Sequence, residues 1–394
     1  MFKNLKYATT DPILGLTEIF NADTRTTKIN LGIGVYVNEV GTTPILSSVK
    51  KAEKYLIKNE NTKNYLNITG TIKFANVTEQ LLFGDLDNNN NYIQTVQTPG
   101  GTAALHISAI LIAKFSNTKT IWISNPSWPN HNTIFNTVGL QIKYYPYYNF
   151  NDHKINFIEM LNALENTIPG DIVLLHGCCH NPTGSDLTKE QWNTLSVIVA
   201  EKQLIPLFDF AYHGLANNLI LDTECIKIFL QKIPNMIIVS SYSKNFSLYN
   251  ERVGACTIIT KNKHQTNKII SQLKLIIRSI YSNPPAHGAA IVSTILSNSS
   301  LKEEWIEELS NICNRIKLMR KLFVNTLEKH DIKNTFDFIN NENGMFSIIG
   351  LSKKQINILR ENYGIYLLDS GRLNFAALRE SIIEYVVNAI KNVI

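Results

Sequence analysis

The stretch IIVSSYSKNFSLYNERVGACTII, residues 237–259, decides how this chain is read. Two apolar runs of strand composition, Ile237–Ser240 and Val253–Ile259, flank a segment of small hydroxyl residues that holds one lysine, Lys244, and one arginine, Arg252. A lysine directly after a buried strand is most often a surface charge. The sharper alternative is a desolvated amine held ready for Schiff-base formation, which needs a depressed pKa and a cofactor beside it. Lys244 alone does not choose between the two.

Working outward, short apolar runs alternate with helical patterns between about residues 93 and 260, the signature of a parallel sheet built from βαβ units. The runs are 120–124 (TIWIS), 172–175 (IVLL), 205–208 (IPLF), 237–240 and 253–259. Thr188 followed by Gln191 forms a capping-box signal ahead of Trp192, Leu195 and Val199 at helical spacing. Gly100-Gly101-Thr102 opens a second helix, rich in apolar residues. Polar clusters follow several runs: Asn125 to Trp128, Asn181, Asp209 with Tyr212, and Ser241 to Lys244. Ligands of open α/β sheets sit beyond the carboxyl ends of the strands, so these clusters are expected to share one crevice. Further on, Trp305, Leu309, Ile312, Ile316, Met319 and Phe323 are spaced as the core stripe of one long helix leading into a C-terminal domain. The expected organisation is an N-terminal arm and first part of a small domain over 1–43, a large domain over 44–310 and the rest of the small domain over 311–394. The asparagine run at 88–91 reads as a polar loop.

With 394 residues and 44% hydrophobic content the chain can bury a sizeable core. Its formal net charge of +6 is spread along the sequence, so nucleic acid is not implied, while an anionic substrate suits it. Cys178, Cys179, Cys225, Cys256 and Cys313 are odd in number and lack C-x-x-C spacing, which argues against a disulfide framework and a zinc site and for a reducing compartment. No apolar run approaches a membrane span and the start lacks a signal-peptide pattern, so a cytoplasmic protein is expected.

A Schiff-base lysine is useful with an aldehyde cofactor, and pyridoxal phosphate makes three separate demands. Its phosphate suits a helix N-terminus, hydroxyls and an arginine, for which Gly101, Thr102, Ser241, Ser243 and Arg252 are available, although a GGT turn alone is usually only a turn. Its ring nitrogen suits a carboxylate, and Asp209 after a buried run qualifies, or else caps a helix. Tyr212 and Asn181 could hydrogen-bond the ring hydroxyl. Its ring suits an aromatic face, and Trp128 stands at the right strand end, unless it is a core tryptophan. Two arginines, Arg278 and Arg372, are either surface charges or the bidentate carboxylate ligands that a dicarboxylic amino acid requires.

In INLGIGVY (29–36), KNYL (63–66), QTPGGT, SNPSWPNH, HGCCHNPTG, FDFAYHG, SYSKNFSLYNERVGA, YSNPPAHG and SGR (370–372), the chain resembles the class I pyridoxal-phosphate aminotransferases, most closely their bacterial aspartate and aromatic members. The resemblance runs almost end to end. It implies the fold type I architecture: α/β, a large domain with a mostly parallel seven-stranded sheet sandwiched by helices, plus a smaller α/β domain. It implies Lys244 as Schiff-base lysine and general base, Asp209 as pyridinium partner, Tyr212 and Asn181 at the ring hydroxyl, and Trp128 stacked on the ring. Gly101, Thr102, Ser241, Ser243 and Arg252 would bind phosphate, with Tyr65 reaching the phosphate of the neighbouring subunit of a homodimer. Gly34, Trp128, Asn181 and Arg372 would contact substrate, Arg372 at its α-carboxylate, and Arg278 would reach from the neighbour to the distal carboxylate. Val35, Thr43, Asn64, Thr102 and Asn283 look like the aspartate type, whereas Val37 replaces a lysine common in it. The favoured reaction is therefore L-aspartate with 2-oxoglutarate, aromatic amino acids being the alternative. Asn67, Ala103 and Ser247 stand where relatives usually carry glycine, and Ala377-Leu378-Arg379-Glu380 replaces a Gly-x-Thr-Pro turn.

Competing readings fare less well. Gly32-Ile33-Gly34 suggests a dinucleotide fold, but the third glycine of that fingerprint is absent and no helix pattern follows. A β-lyase or decarboxylase using the same cofactor does not need paired arginines. A catalytically dead relative would not keep every catalytic residue type.

Overall fold

The computed structural model describes all residues except 1, 3, 4, 6, 8–10, 85–91 and 333–335, so the asparagine run at 88–91 lies outside the described residues. In chain order its strands are β1 (Ile29–Asn30), β2 (Tyr92–Pro99), β3 (Thr120–Asn125), β4 (Gln141–Pro146), β5 (Tyr148–Asn149), β6 (Lys154–Ile155), β7 (Ile172–His176), β8 (Ile205–Phe210), β9 (Met236–Ser241), β10 (Val253–Thr260), β11 (Phe346–Ile348), β12 (Ile365–Tyr366) and β13 (Arg372–Asn374). Seven form one sheet in the order β2-β10-β9-β8-β7-β3-β4. Its neighbours pair in parallel except β10, which runs antiparallel to both β2 and β9.

The five apolar runs are the sheet's interior strands. Side chains alternate between two cores: Val173, Leu175, Phe208 and Ile238 pack on one face, and Ile172, Leu174, Leu207 and Ile237 on the other. Strands buried on both faces lose the apolar/polar alternation and read as continuous hydrophobic runs. β2 and β4 escaped that pattern because they are the sheet's edges, and each mixes polar and apolar residues (YIQTVQTP, QIKYYP). The capping box at Thr188 and Gln191 forms as expected and starts the helix Lys189–Glu201, with Trp192, Leu195 and Val199 buried.

The long helix spans Ser299–Lys329, and all six residues of its stripe are buried. Around its C-terminal half lie the antiparallel pair β11–β13 and the parallel pair β1–β12, the latter joining residues near both ends of the chain. Of the three positions where glycine was expected, Ser247 has φ 54°, in the left-handed region, and its Oγ donates to Pro44 O at 2.9 Å. Ala103 lies inside the helix Gly100–Phe115, where alanine is the better helix former. All five cysteines are buried free thiols. Among the described residues, no helix is long and apolar enough to cross a membrane.

Candidate active site

The parallel strands β3, β7, β8 and β9 deliver Asn125, His176, Phe210 and Ser241 to the same edge of the sheet. β2 runs the same way, so the helix Gly100–Phe115 starts at that edge; β10 runs the opposite way and therefore begins there, placing Arg252 beside them. A cavity of about 190 Å³ results. Gly34, Gly101, Thr102, Trp128, Asn181, Asp209, Tyr212, Ser241, Ser243, Lys244, Arg252 and Arg372, twelve of the fourteen residues singled out from the sequence, all line it. Tyr65 and Arg278 do not. Tyr65 is 92% exposed, and Arg278 is exposed at the end of the helix Lys263–Ile280, donating to Ser282 Oγ.

The phosphate end is built from backbone. Adding a Cβ at Gly100 would strike the Arg252 guanidinium at 2.4 Å, and one at Gly254 would strike the carbonyl carbon of Gly100 at 2.4 Å. The helix N-terminus, Ser241 and Arg252 are thus packed as closely as side-chain-free backbone permits. Arg252 Nη1 donates to Ser243 Oγ at 3.2 Å, and Arg252 itself has φ 54°. Such a concave cluster of N–H, hydroxyl and guanidinium groups fits a phosphate dianion.

Burial alone would push Asp209 upward, yet it lies below the ordinary carboxylate range, because His131 Nε2 sits 2.9 Å from its Oδ2 and His131, His176 and Lys244 add favourable fields. An ionised carboxylate at that place fits a ring nitrogen. Asn181 Nδ2 lies 3.4 Å from Tyr212 Oη, and burial raises the Tyr212 phenol. Lys244 is lowered to about 8, first by burial and then by Arg252 and Arg372, with Asp209 opposing. Its ammonium lies 5.4 Å from the Tyr212 ring. Among the described residues, neither a hydrogen bond nor an ion pair holds it.

Arg372 is 2% exposed and sits 3.9 Å over the Phe346 ring. Its Nη1 donates to Asn181 Oδ1 at 3.2 Å and its Nη2 to Gly32 O at 2.9 Å, while its buried Nε has no partner. An orphaned guanidinium N–H facing a cavity is a carboxylate site in waiting. The residue set as a whole fits pyridoxal phosphate with a carboxylic acid beside it. A larger groove of about 650 Å³ at the opposite edge of the sheet is lined mainly by apolar side chains such as Leu111, Ile237 and Ile258 and gathers none of these groups.

Sequence reasoning missed His131, His176, Cys178, Phe346 and Ile13, all in or against the site. His131 carries a signal, since it stands three residues after Trp128 in NPSWPNH; Phe346 and Ile13 carry none.

Comparison with known proteins agrees with this geometry. The family model described as aminotransferase class I and II matches residues 26–390. The chain is 51% identical over 380 residues to the aspartate aminotransferase of Escherichia coli K12, covering 96% of each, and 40% identical over 385 residues to the aromatic-amino-acid aminotransferase of Pseudomonas aeruginosa, covering 97% of this chain and 96% of that one. Among solved structures, the aromatic-amino-acid aminotransferase of Burkholderia pseudomallei, covalently bound to pyridoxal phosphate, matches with a TM-score of 0.97 at 42% identity, covering 100% of this chain and 99% of that one.

Proposed function

The chain belongs to the class I and II aminotransferases, and from that premise we propose that it transfers the amino group of L-aspartate to 2-oxoglutarate, giving oxaloacetate and L-glutamate in two half-reactions. Bound in the cavity, pyridoxal phosphate supplies an aldehyde that condenses with amines, a ring that accepts electrons from the substrate's Cα, and storage of the amino group between the half-reactions.

The observation that carries the reading is Lys244, a half-buried amine lowered to about 8 at the centre of the cavity. Near neutral pH a useful fraction of it is unprotonated, so it can bind the cofactor and then move the proton at the substrate's Cα. Asp209, kept ionised by His131, holds the proton on the ring nitrogen. Tyr212 and Asn181 bracket the ring oxygen, and Trp128 covers the ring. Arg372 binds the α-carboxylate through the Nε that has no partner in the chain. The aspartate reading is supported by relatives at 46–51% identity that are named aspartate aminotransferase.

Tyr65 and Arg278 act from a neighbouring subunit in this proposal, Tyr65 on the phosphate and Arg278 on the distal carboxylate. Their exposure outside their own subunit's cavity supports a homodimer with shared sites. That same displacement favours a second reading, aromatic amino acid transamination, because no second arginine inside the subunit's own cavity demands a second carboxylate. An aromatic relative from Psychrobacter was cocrystallised with aspartic acid, so the two specificities meet in one fold.

The test is to add L-aspartate alone to the holoenzyme and follow visible absorption and released oxaloacetate, then repeat with L-tyrosine. Stoichiometric oxaloacetate without any acceptor is expected, and Lys244→Ala should lose turnover at least ~10³-fold while staying folded. Retained turnover in that variant would sink the assignment.

A further inference from the structure

The strand β13 stitches the segment Leu31–Val35 into the cavity wall. Leu31 O accepts from Asn374 N at 2.8 Å, Gly32 O from Arg372 Nη2 at 2.9 Å, and Ile33 O and Val35 O both accept from Asn374 Nδ2, at 2.7 and 2.8 Å. Asn374 Oδ1 accepts from Ala376 N at 2.9 Å. Asn374 is 0% exposed, so its amide is wholly committed to these bonds. On the donor side, Asn30 Oδ1 accepts the N–H groups of Gly32 and Ile33, and Tyr249 Oη accepts that of Tyr36.

What remains is informative. Among the described residues, the N–H and C=O of Gly34 and the N–H of Val35 have no hydrogen-bond partner in the chain, and Gly34 is the residue of this stretch that lines the cavity. A Cβ added at Gly32 would strike Leu16 Cδ2 at 2.3 Å, whereas one added at Gly34 meets only Phe346 Cζ, at 3.8 Å. Gly34 therefore has open space where its neighbour has none. Arg372 and Asn374 are two apart on one strand and so share a face, the first donating to substrate and the second to the segment beside it.

We propose that Asn374 is a positioning residue for substrate: by holding the carbonyls on either side of Gly34 it presents the Gly34 peptide beside Arg372, so that the substrate carboxylate meets both. The proposal rests on the reading above in which Gly34 and Arg372 contact substrate. Asn374 touches neither substrate nor cofactor.

Asn374→Asp keeps the side chain's shape while losing both donors. In the holoenzyme it should weaken binding of an unreactive acid, maleate or 3-indolepropionic acid, about 10-fold or more. KM should rise in step while kcat changes little, and the cofactor's visible absorption and the thermal midpoint should stay near wild type. Protonating the introduced carboxyl restores one donor, so affinity relative to wild type should recover as pH falls, which a packing role would not produce. Wild-type affinity in this variant overturns the proposal, as does a parallel loss of affinity, kcat and cofactor absorption. If the variant does not fold, amide exchange in the unaltered protein decides: it should slow at Gly34 or Val35 when the acid binds, and unchanged exchange overturns the proposal. A wild-type protein that binds neither acid overturns the substrate reading and this proposal with it; a wild type that binds one, matched by the variant, overturns the proposal alone.

Discussion

Lys244 is held between two guanidinium groups, Arg252 and Arg372, and one carboxylate, Asp209, and burial does the rest of the work in lowering it. The same imbalance must cost the cofactor-free protein stability. Unfolded, the amine titrates near its ordinary 10.5; folded, near 8. Between those values the unfolded chain binds more protons, so stability rises with pH across that window, and below about 8 the full penalty is present. Lys244→Met, which does not titrate, should therefore raise the unfolding midpoint of the cofactor-free protein at pH 7 by the equivalent of ~1–3 kcal/mol, and the gain should vanish by about pH 10.5. A gain that does not change with pH would mean that packing, not charge, separates the two proteins. At this scale the sequence exposed the titrating residues themselves but not what tunes them. Lys244, Asp209 and Arg372 were found because chemistry demands those residue types after those strands. His131 was not, because its role exists only once its helix, Pro129–Thr137, turns the imidazole toward β8.

The last helix, Glu380–Lys391, shows how an element can be capped from far away in sequence. Its N-cap, Arg379, makes no side-chain capping bond; instead Glu39 Oε2 accepts the Glu380 N–H at 3.2 Å. Arg315 on the long helix fixes that glutamate, donating from Nε to Glu39 Oε1 at 2.9 Å, and also donates to Val37 O and Leu378 O, both at 2.9 Å. The stretch 377–380, where the expected Gly-x-Thr-Pro turn is missing, is thus tied to the loop after Gly34. Glu39 is half exposed, so the ion pair alone contributes little; the two carbonyl bonds carry the effect. Arg315→Met should destabilise the protein by about 1–3 kcal/mol, with Arg315→Lys recovering only part, because a single ammonium cannot serve all three acceptors. A denaturant midpoint unmoved by Arg315→Met would show that the strap holds nothing. None of this was visible in sequence. Periodicity reveals a helix and its buried stripe, as it did for Trp305 to Phe323, but the partners of an exposed-looking glutamate depend on tertiary contact.

At the scale of the whole molecule, the site follows from topology. Four parallel strands end at one edge, a fifth leads there into a helix N-terminus, and the single reversed strand contributes the residue before its start, Arg252. The alternation of apolar runs and helices was enough to anticipate that convergence, since parallel strands must all end on the same side. It could not anticipate which residues the subunit leaves outside. Tyr65 and Arg278 lie away from their own cavity, and the proposed homodimer is the arrangement that gives them work. A shared site has a consequence that no single-subunit site has. Arg278→Asp removes the distal carboxylate ligand from the neighbour's site, and Lys244→Ala disables the site of its own subunit. Each variant alone should be nearly inactive on aspartate. Co-expressed in equal amounts, about half of the dimers should be mixed, and each mixed dimer holds one site with Lys244 from one subunit and Arg278 from the other. Aspartate turnover should then recover to about a quarter of wild type, following the mixed dimer when the species are separated by differential tags. If the mixed dimer forms and stays inactive, Arg278 serves its own subunit or no site at all, and the dicarboxylate specificity must be sought inside the cavity.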